Sequence, residues 1–263
     1  MRKNLRFVWL LIKYKINRMM MYRADFFSVF INDGLLFVVQ LLTFETIYSQ
    51  VESIGGWTRG QMIIFIGTFS IINALNMLIY FFGIVDLPQK IIRGDLDPYV
   101  TKPVNPLLRL TFENVNMGSL PLVVMSIMIV CYGVSVSGIR VSFSLGLGYA
   151  IVVLLMTLLW YDMEVILRTI PFFLPSAKGI SRIEGELLDL NMKIPGILFK
   201  GVFKLLFYIL LPYGIMSTVP TQLLTRSISP SAVVYAVLTV LLFTWLTLRF
   251  WRRGLSHYKS ASS

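Results

Sequence analysis

Several stretches of about 20 residues in this chain are almost free of charge, and each is long enough to cross a hydrocarbon core of ~30 Å as a helix. That feature dominates every other. Over 263 residues, 56% are hydrophobic and only 14% charged, roughly half the charged share of an average soluble domain. Such a chain lacks the polar surface of a soluble globule. The expected fold class is therefore an all-α integral membrane protein with about six transmembrane helices. The spans read from hydropathy are Phe26–Tyr48, Met62–Phe82, Leu110–Tyr132, Phe143–Trp160, Val202–Pro220 and Ala232–Phe250.

The net charge of +11 carries topology rather than nucleic-acid binding, because the basic residues lie between the apolar stretches. Assigning each Lys and Arg to its nearest loop gives 21 on the side of the two termini and three, Arg59, Arg140 and Arg226, on the other. Cytoplasmic loops are rich in Lys and Arg, so both termini are expected in the cytoplasm, with the chain multi-pass in the cytoplasmic (inner) membrane. Residues 1–24 read as an amphipathic interface helix: Arg2, Arg6, Lys13 and Asn17 share one face, beside Leu5, Val8, Trp9, Ile12 and Ile16. The rest forms one transmembrane domain.

The region 161–231 is ambiguous. Hydropathy makes Tyr161–Gly201 a long cytoplasmic loop. An alternative puts the fifth span near Met163–Ile180 and folds Pro195–Pro220 back as a re-entrant segment on the outer side, where protein or a water-filled cavity satisfies proline-broken backbone. Asp162 and Glu164 read as starting or capping a helix at the cytoplasmic face. Cys131 and His257, each the sole residue of its type, read as a small buried side chain and a solvated tail, so no metal set is expected.

No phosphate loop, zinc-binding H-E-x-x-H or G-x-S-x-G nucleophile motif occurs, so the chain reads as neither an enzyme nor a pump with its own motor. The informative stretch is the loop 84–109. Pro88 suits the first turn of a short helix, Ile91 and Ile92 give it an apolar edge, and Gly94 can end it with a left-handed cap. A second element begins at Asp95, and Lys102-Pro103 and Asn105-Pro106 stiffen the return toward the third span. A rigid elbow of this kind suits a groove on another protein; lying on lipid headgroups is the plainer reading.

Ile92-Arg93-Gly94-Asp95-Leu96-Asp97, followed by Lys102-Pro103-Val104-Asn105-Pro106, resembles the signature of ABC exporter permeases of the type-2, drug-efflux-like superfamily. The nearest branch is that of about 260 residues called the uncharacterised ABC-2 family transporters. The basic start, Tyr22-Arg23-Ala24-Asp25, Leu211-Pro212 and the basic tail Trp251-Arg252-Arg253-Gly254 extend the likeness over most of the chain. The resemblance implies a permease that pairs with a second permease chain, identical or sibling, and with two ABC ATPase subunits that hold ATP and Mg; this chain itself would carry no cofactor. It also implies that the elbow is the coupling helix. Ile91, Ile92, Leu96 and Tyr99 would then be its apolar contacts and Arg93 and Asp97 its polar ones, within Pro88–Lys102, a set that includes Gly94 and Asp95. Membrane lipid is the remaining partner, and no nucleic acid is expected.

Asp33, Glu45 and Glu113 fall inside or at the ends of the expected spans. Ionisable groups there are costly, which makes each either part of a translocation path or a polar contact between helices. The leading function is export driven by ATP on separate subunits. Competing readings are an ion-coupled secondary transporter using those carboxylates, and a membrane anchor or assembly factor.

Overall fold

Capping residues and glycines cut the apolar stretches into helices of defined length. The computed structural model describes residues 9–11, 13, 23–174 and 179–258; the expected interface helix over residues 1–24 falls almost wholly outside them. The main helices are α1 Arg23–Tyr48, α2 Arg59–Ile79, α3 Leu87–Arg93, α4 Asp97–Val100, α5 Pro106–Phe112, α6 Leu120–Ser137, α7 Phe143–Thr169, α8 Ile180–Lys193, α9 Gly201–Leu205, α10 Tyr213–Met216, α11 Thr218–Leu224 and α12 Pro230–His257, with a single helical turn, Phe81–Ile84, between α2 and α3. No strand occurs among the described residues.

Helix starts follow local chemistry. Gln61 reaches back to the amide of Thr58 before α2. The hydroxyls of Ser142 and Ser229 accept from Leu145 and Ala232 at the heads of α7 and α12, satisfying amides that have no partner within the helix. Four helices are long and apolar enough to cross a membrane: Arg59–Ile79, Met117–Ser137, Phe143–Phe172 and Pro230–His257. The stretch Gly34–Tyr48 of α1 is a shorter apolar helix.

α2 is the central post. Of its most apolar window 72% is buried within the chain, against 28–33% for the other three. It packs most closely on α6, and glycines permit the approach. A Cβ added at Gly67 would lie 2.9 Å from the amide nitrogen of Val130, and one at Gly133 would lie 2.8 Å from that of Ile64. In lipid, where burial of apolar surface gives no drive, backbone proximity of this kind supplies the dispersion that holds helices together. The outer faces of α1, α6 and α12 expose Leu35, Val39, Leu42, Val124, Met128, Leu238 and Leu241, as lipid contact requires.

The third span begins at Met117, not Leu110. Asn105 caps a separate helix, α5, by accepting from Leu107 (2.9 Å) and Leu108 (3.3 Å), so Asn105-Pro106 starts a third piece of the elbow. The fourth span continues through Tyr161 to Thr169, which removes the first part of the expected loop. Asp162 and Glu164 accordingly sit mid-helix and 1% exposed, rather than starting a helix. Cys131 is exposed on α6 rather than buried.

In the region of the expected fifth span, the helix after α7 lies later in the chain than Met163–Ile180. At its start, Glu184 on α8 faces Arg168 near the foot of α7. Farther along, the Gln40 side chain of α1 donates to the carbonyl of Met192. Beyond α8, Leu198 reaches Gly55 in the loop between α1 and α2. Residues 180–198 therefore traverse the bundle from the elbow end to the far end. The segment Val202–Pro220 is not a straight span: Gly201–Leu210 and Tyr213–Leu224 meet at 78° across Leu211-Pro212. The second arm packs on α7 and α2 and returns to the far end, where Arg226 donates to the carbonyl of Arg140 (3.4 Å). This is a bent hairpin with both ends at the far end, and the stretch that runs between the two ends of the bundle is 180–198, later in the chain than Met163–Ile180.

Candidate functional site: the elbow and its anchors

The elbow hangs between α2 and α6 and is built from α3, α4 and α5. Pro88 lies in the first turn of α3, and Gly94 ends it at φ 77°. The amides of Gly94 and Asp95 close the helix on the carbonyls of Ile91 (3.3 Å) and Lys90 (2.8 Å), a cap that needs the left-handed region glycine enters freely. The second element starts at Asp97, two residues later than expected, with Pro98 in its first turn.

A second, smaller core seats this elbow. Tyr80, Ile84, Leu87, Ile91, Leu96, Leu107 and Leu110 pack with Val165 of α7 and Trp251 of α12. Ile91 is 8% exposed and Leu96 fully buried, so these two expected partner contacts instead face their own chain. Tyr99 is also engaged at home. Its hydroxyl donates to Glu113 Oε1 (2.7 Å) and accepts from Lys90 Nζ (2.9 Å), and Lys90 donates to the same carboxylate oxygen (2.7 Å). Arg109 stacks 4.3 Å from the Tyr99 ring centre and donates to the carbonyl of Pro98 (2.7 Å). Burial works against the Lys90 ammonium, but its bonds to Glu113 and Tyr99 outweigh that effect and its pKa lies above 10.5. Burial raises the Tyr99 hydroxyl.

The end of the last helix completes the anchor. Tyr258 donates to the carbonyl of Gly94 (2.5 Å), accepts from the amide of Leu96 (3.1 Å) and meets Asp97 Oδ1 (3.1 Å). The ring of Phe172, just past α7, stands edge-on to both Trp251 and Tyr258. Residues exposed on and beside α3 and α4 include Gln89, Ile92, Arg93, Asp95, Pro98, Val100 and Lys102, with Ile92 45% and Val100 47% exposed. Of the residues singled out in the sequence, Pro88, Ile91, Gly94, Leu96, Asp97 and Tyr99 thus build the elbow, while Ile92, Arg93, Asp95 and Lys102 are presented by it.

The intramembrane carboxylates separate. Glu113 is not in a span; it caps α5 and holds the elbow together. Glu45 pairs with Arg59 at 2.7 Å, clamping the far ends of α1 and α2. Asp33 falls within α1, and its side chain lies outside the described residues.

Sequence reading missed a buried polar node joining α2, α7 and α8 to the root of the elbow. Glu164 Oε1 accepts from Trp160 Nε1 (3.0 Å) and Asn76 Nδ2 (3.3 Å). Arg168 lies 3.7 Å from both Glu164 and Glu184 and donates to the carbonyl of Val85 (3.3 Å). The i, i+4 pair Glu164–Arg168 was visible, but the expected end of the span at Trp160 left it in a loop. Among the described residues, no group of three or more His, Cys, Asp or Glu could hold a metal.

The model of a family described as ABC-2 family transporter protein matches residues 34–262. Comparison with curated proteins gives no match. Comparison with solved structures likewise gives none. The match takes in the elbow, the node, the hairpin and the last helix, and on that extent the chain belongs to the ABC-2 transporter family of membrane proteins.

Proposed function

We propose that this protein is the permease subunit of an ATP-binding-cassette exporter, moving its substrate with energy from ATP hydrolysed on separate subunits. One observation carries the reading: an elbow fixed to its own chain by the core around Leu87 and Leu96, while apolar Ile92 and Val100 and charged Arg93, Asp95 and Lys102 are exposed. A surface that only rested on headgroups would need no such internal bracing. A lever that carries load does. Apolar anchors together with charged neighbours are also the anatomy of a protein–protein hot spot.

In this reading the elbow end faces the cytoplasm. Lys90, Arg93, Lys102, Arg109, Arg249, Arg252 and Arg253 cluster there, against Arg59, Arg140, Lys200, Lys204 and Arg226 toward the far end; the bias is smaller than the hydropathy map gave but keeps its sign. A pair of permeases stands on two ATPase subunits. Closure of the ATPases on ATP moves α3 and α4, and the motion passes through Tyr258 and Trp251 to α12 and through Arg168 to α7 and α8.

Co-expression with the nucleotide-binding subunit from the same gene neighbourhood tests this. Ile92→Arg combined with Val100→Glu is expected to weaken ATPase retention about 30-fold, the loss typical of one interface hot spot, with permease yield unchanged. Retention of the ATPase by the double variant, or no retention by the parent chain, refutes the proposed contact.

A further inference from the structure

α8 carries its charges on one face. Arg182, Glu186, Asp189 and Lys193 follow at i, i+4, i+7 and i+11, and all four are exposed. That spacing keeps them on one stripe of a helix. Asp189 and Lys193 pair at 2.6 Å while remaining 49% and 59% exposed; Arg182 and Glu186 have no ion pair among the described residues. The opposite face is buried through Glu184 and Asn191. In a soluble protein this would be an ordinary solvated face.

The position of α8 removes that explanation. Its start is level with Arg168 at the elbow end. Met192, beside Lys193, is level with Gln40, eight residues before the far end of α1, hence about 12 Å below it at 1.5 Å per residue. The stripe itself is about 16 Å long, reaching from the elbow end to near mid-depth of a ~30 Å core. Lipid does not accept such a face: charged groups at that depth turn to a bundle interior or a water-filled cavity. The chain's own interior is on the other side of α8.

We infer that the stripe Arg182–Glu186–Asp189–Lys193 lines an aqueous vestibule, open at the elbow end and closed near mid-depth, that receives solutes bearing ionic groups of both signs. This rests on the permease reading and gives it a substrate class. Glu186 offers a carboxylate and Arg182 a guanidinium one helical turn apart, a spacing of about 6 Å suited to a zwitterion. The bent hairpin bounds the blind end, where Gly196, just past α8, donates its amide to Thr218 (2.9 Å). Irregular backbone at depth is tolerated where it borders such a cavity.

Thiol accessibility tests the vestibule without any ATPase, so its failure is distinct from failure of the permease reading. In a Cys131→Ser background, single cysteines replace Glu186, Asp189 and Lys193. Gly185→Cys is added because it removes no charge, and a Cβ there meets nothing within 4 Å. Leu241→Cys on the apolar face of α12 is the lipid control. Membrane-impermeant methanethiosulfonates, one cationic and one anionic, are applied to either side of sealed vesicles. The expected result is modification by both reagents from the elbow side, about a hundredfold faster than at Leu241→Cys, the ratio set by the cost of an ion in hydrocarbon. Rates equal to the control overturn the inference. So does modification from the far side alone, and so do disulfides between copies at Glu186→Cys without modification, which would make the stripe a dry contact.

Discussion

Glu113 shows how a single carboxylate changes meaning with its surroundings. In the sequence it stands within a run that hydropathy extends into the third span; in the fold it accepts from both Lys90 and Tyr99 and ties α3, α4 and α5 into one body. Glu113→Ala leaves a half-buried ammonium without its counter-ion, and the expected cost is about 2 kcal/mol, read as a lower midpoint in thermal unfolding of the detergent-solubilised protein. Because folding raises the Lys90 pKa above 10.5, its stabilisation is complete below that pH and is lost as pH rises through the folded value. The difference in unfolding midpoint between parent and variant is therefore expected to stay constant from pH 6 to 9 and shrink only above 10.5. A difference that shrinks near neutrality assigns the effect to another group.

Between elements, the approach of α2 to α6 is the tightest constraint. Gly67 and Gly133 each sit where a Cβ would meet the partner's backbone inside 3.0 Å, so neither side chain nor rotamer can yield. Gly133→Leu is expected to force the pair apart, with overpacking costing about 1–3 kcal/mol, visible as loss of the monodisperse peak in size-exclusion chromatography. Gly138→Ala, at the residue that caps the end of α6, serves as comparison: its added Cβ meets nothing within 4 Å, and only the left-handed φ of 63° is strained. Equal behaviour of the two would show that close packing is not what holds α6. α8 is held by side chains instead. Its inner face packs Leu187, Leu188, Leu190 and Met192 against the main core, and Arg168–Glu184 and Gln40 on the Met192 carbonyl add polar contacts.

At the scale of the molecule, the elbow and the carboxyl end of α12 form one unit. Tyr258 bonds to the backbone of Gly94 and Leu96 across more than 160 residues of chain, and Trp251 lies in the same core as Leu87. Tyr258→Phe keeps the ring on Phe172 and removes only the hydroxyl. Amides of residues 94–97 are expected to exchange about tenfold faster, the equivalent of one or two lost hydrogen bonds, while the amides of α2 keep their rates. Unchanged exchange over 94–97 would mean that the small core alone seats the elbow.

Much of this design is written locally. Charge-free stretches of 20 residues dictate helices in lipid, Pro88 and Gly94 dictate where α3 begins and ends, and the elbow motif carries the family likeness; each depends on neighbours within one or two turns. What depends on distant partners is not legible that way. Ile91 and Ile92 are adjacent and chemically identical, yet one is buried and the other exposed, because Trp251 and Val165 arrive from elsewhere to cover only the first. α8 fails any hydropathy threshold, since a crossing helix is recognised by its average polarity only when lipid surrounds it. Once Arg168 pairs with Glu184 and the bundle covers that face, a charged helix can lie against apolar neighbours, and only the tertiary structure reveals that such cover exists.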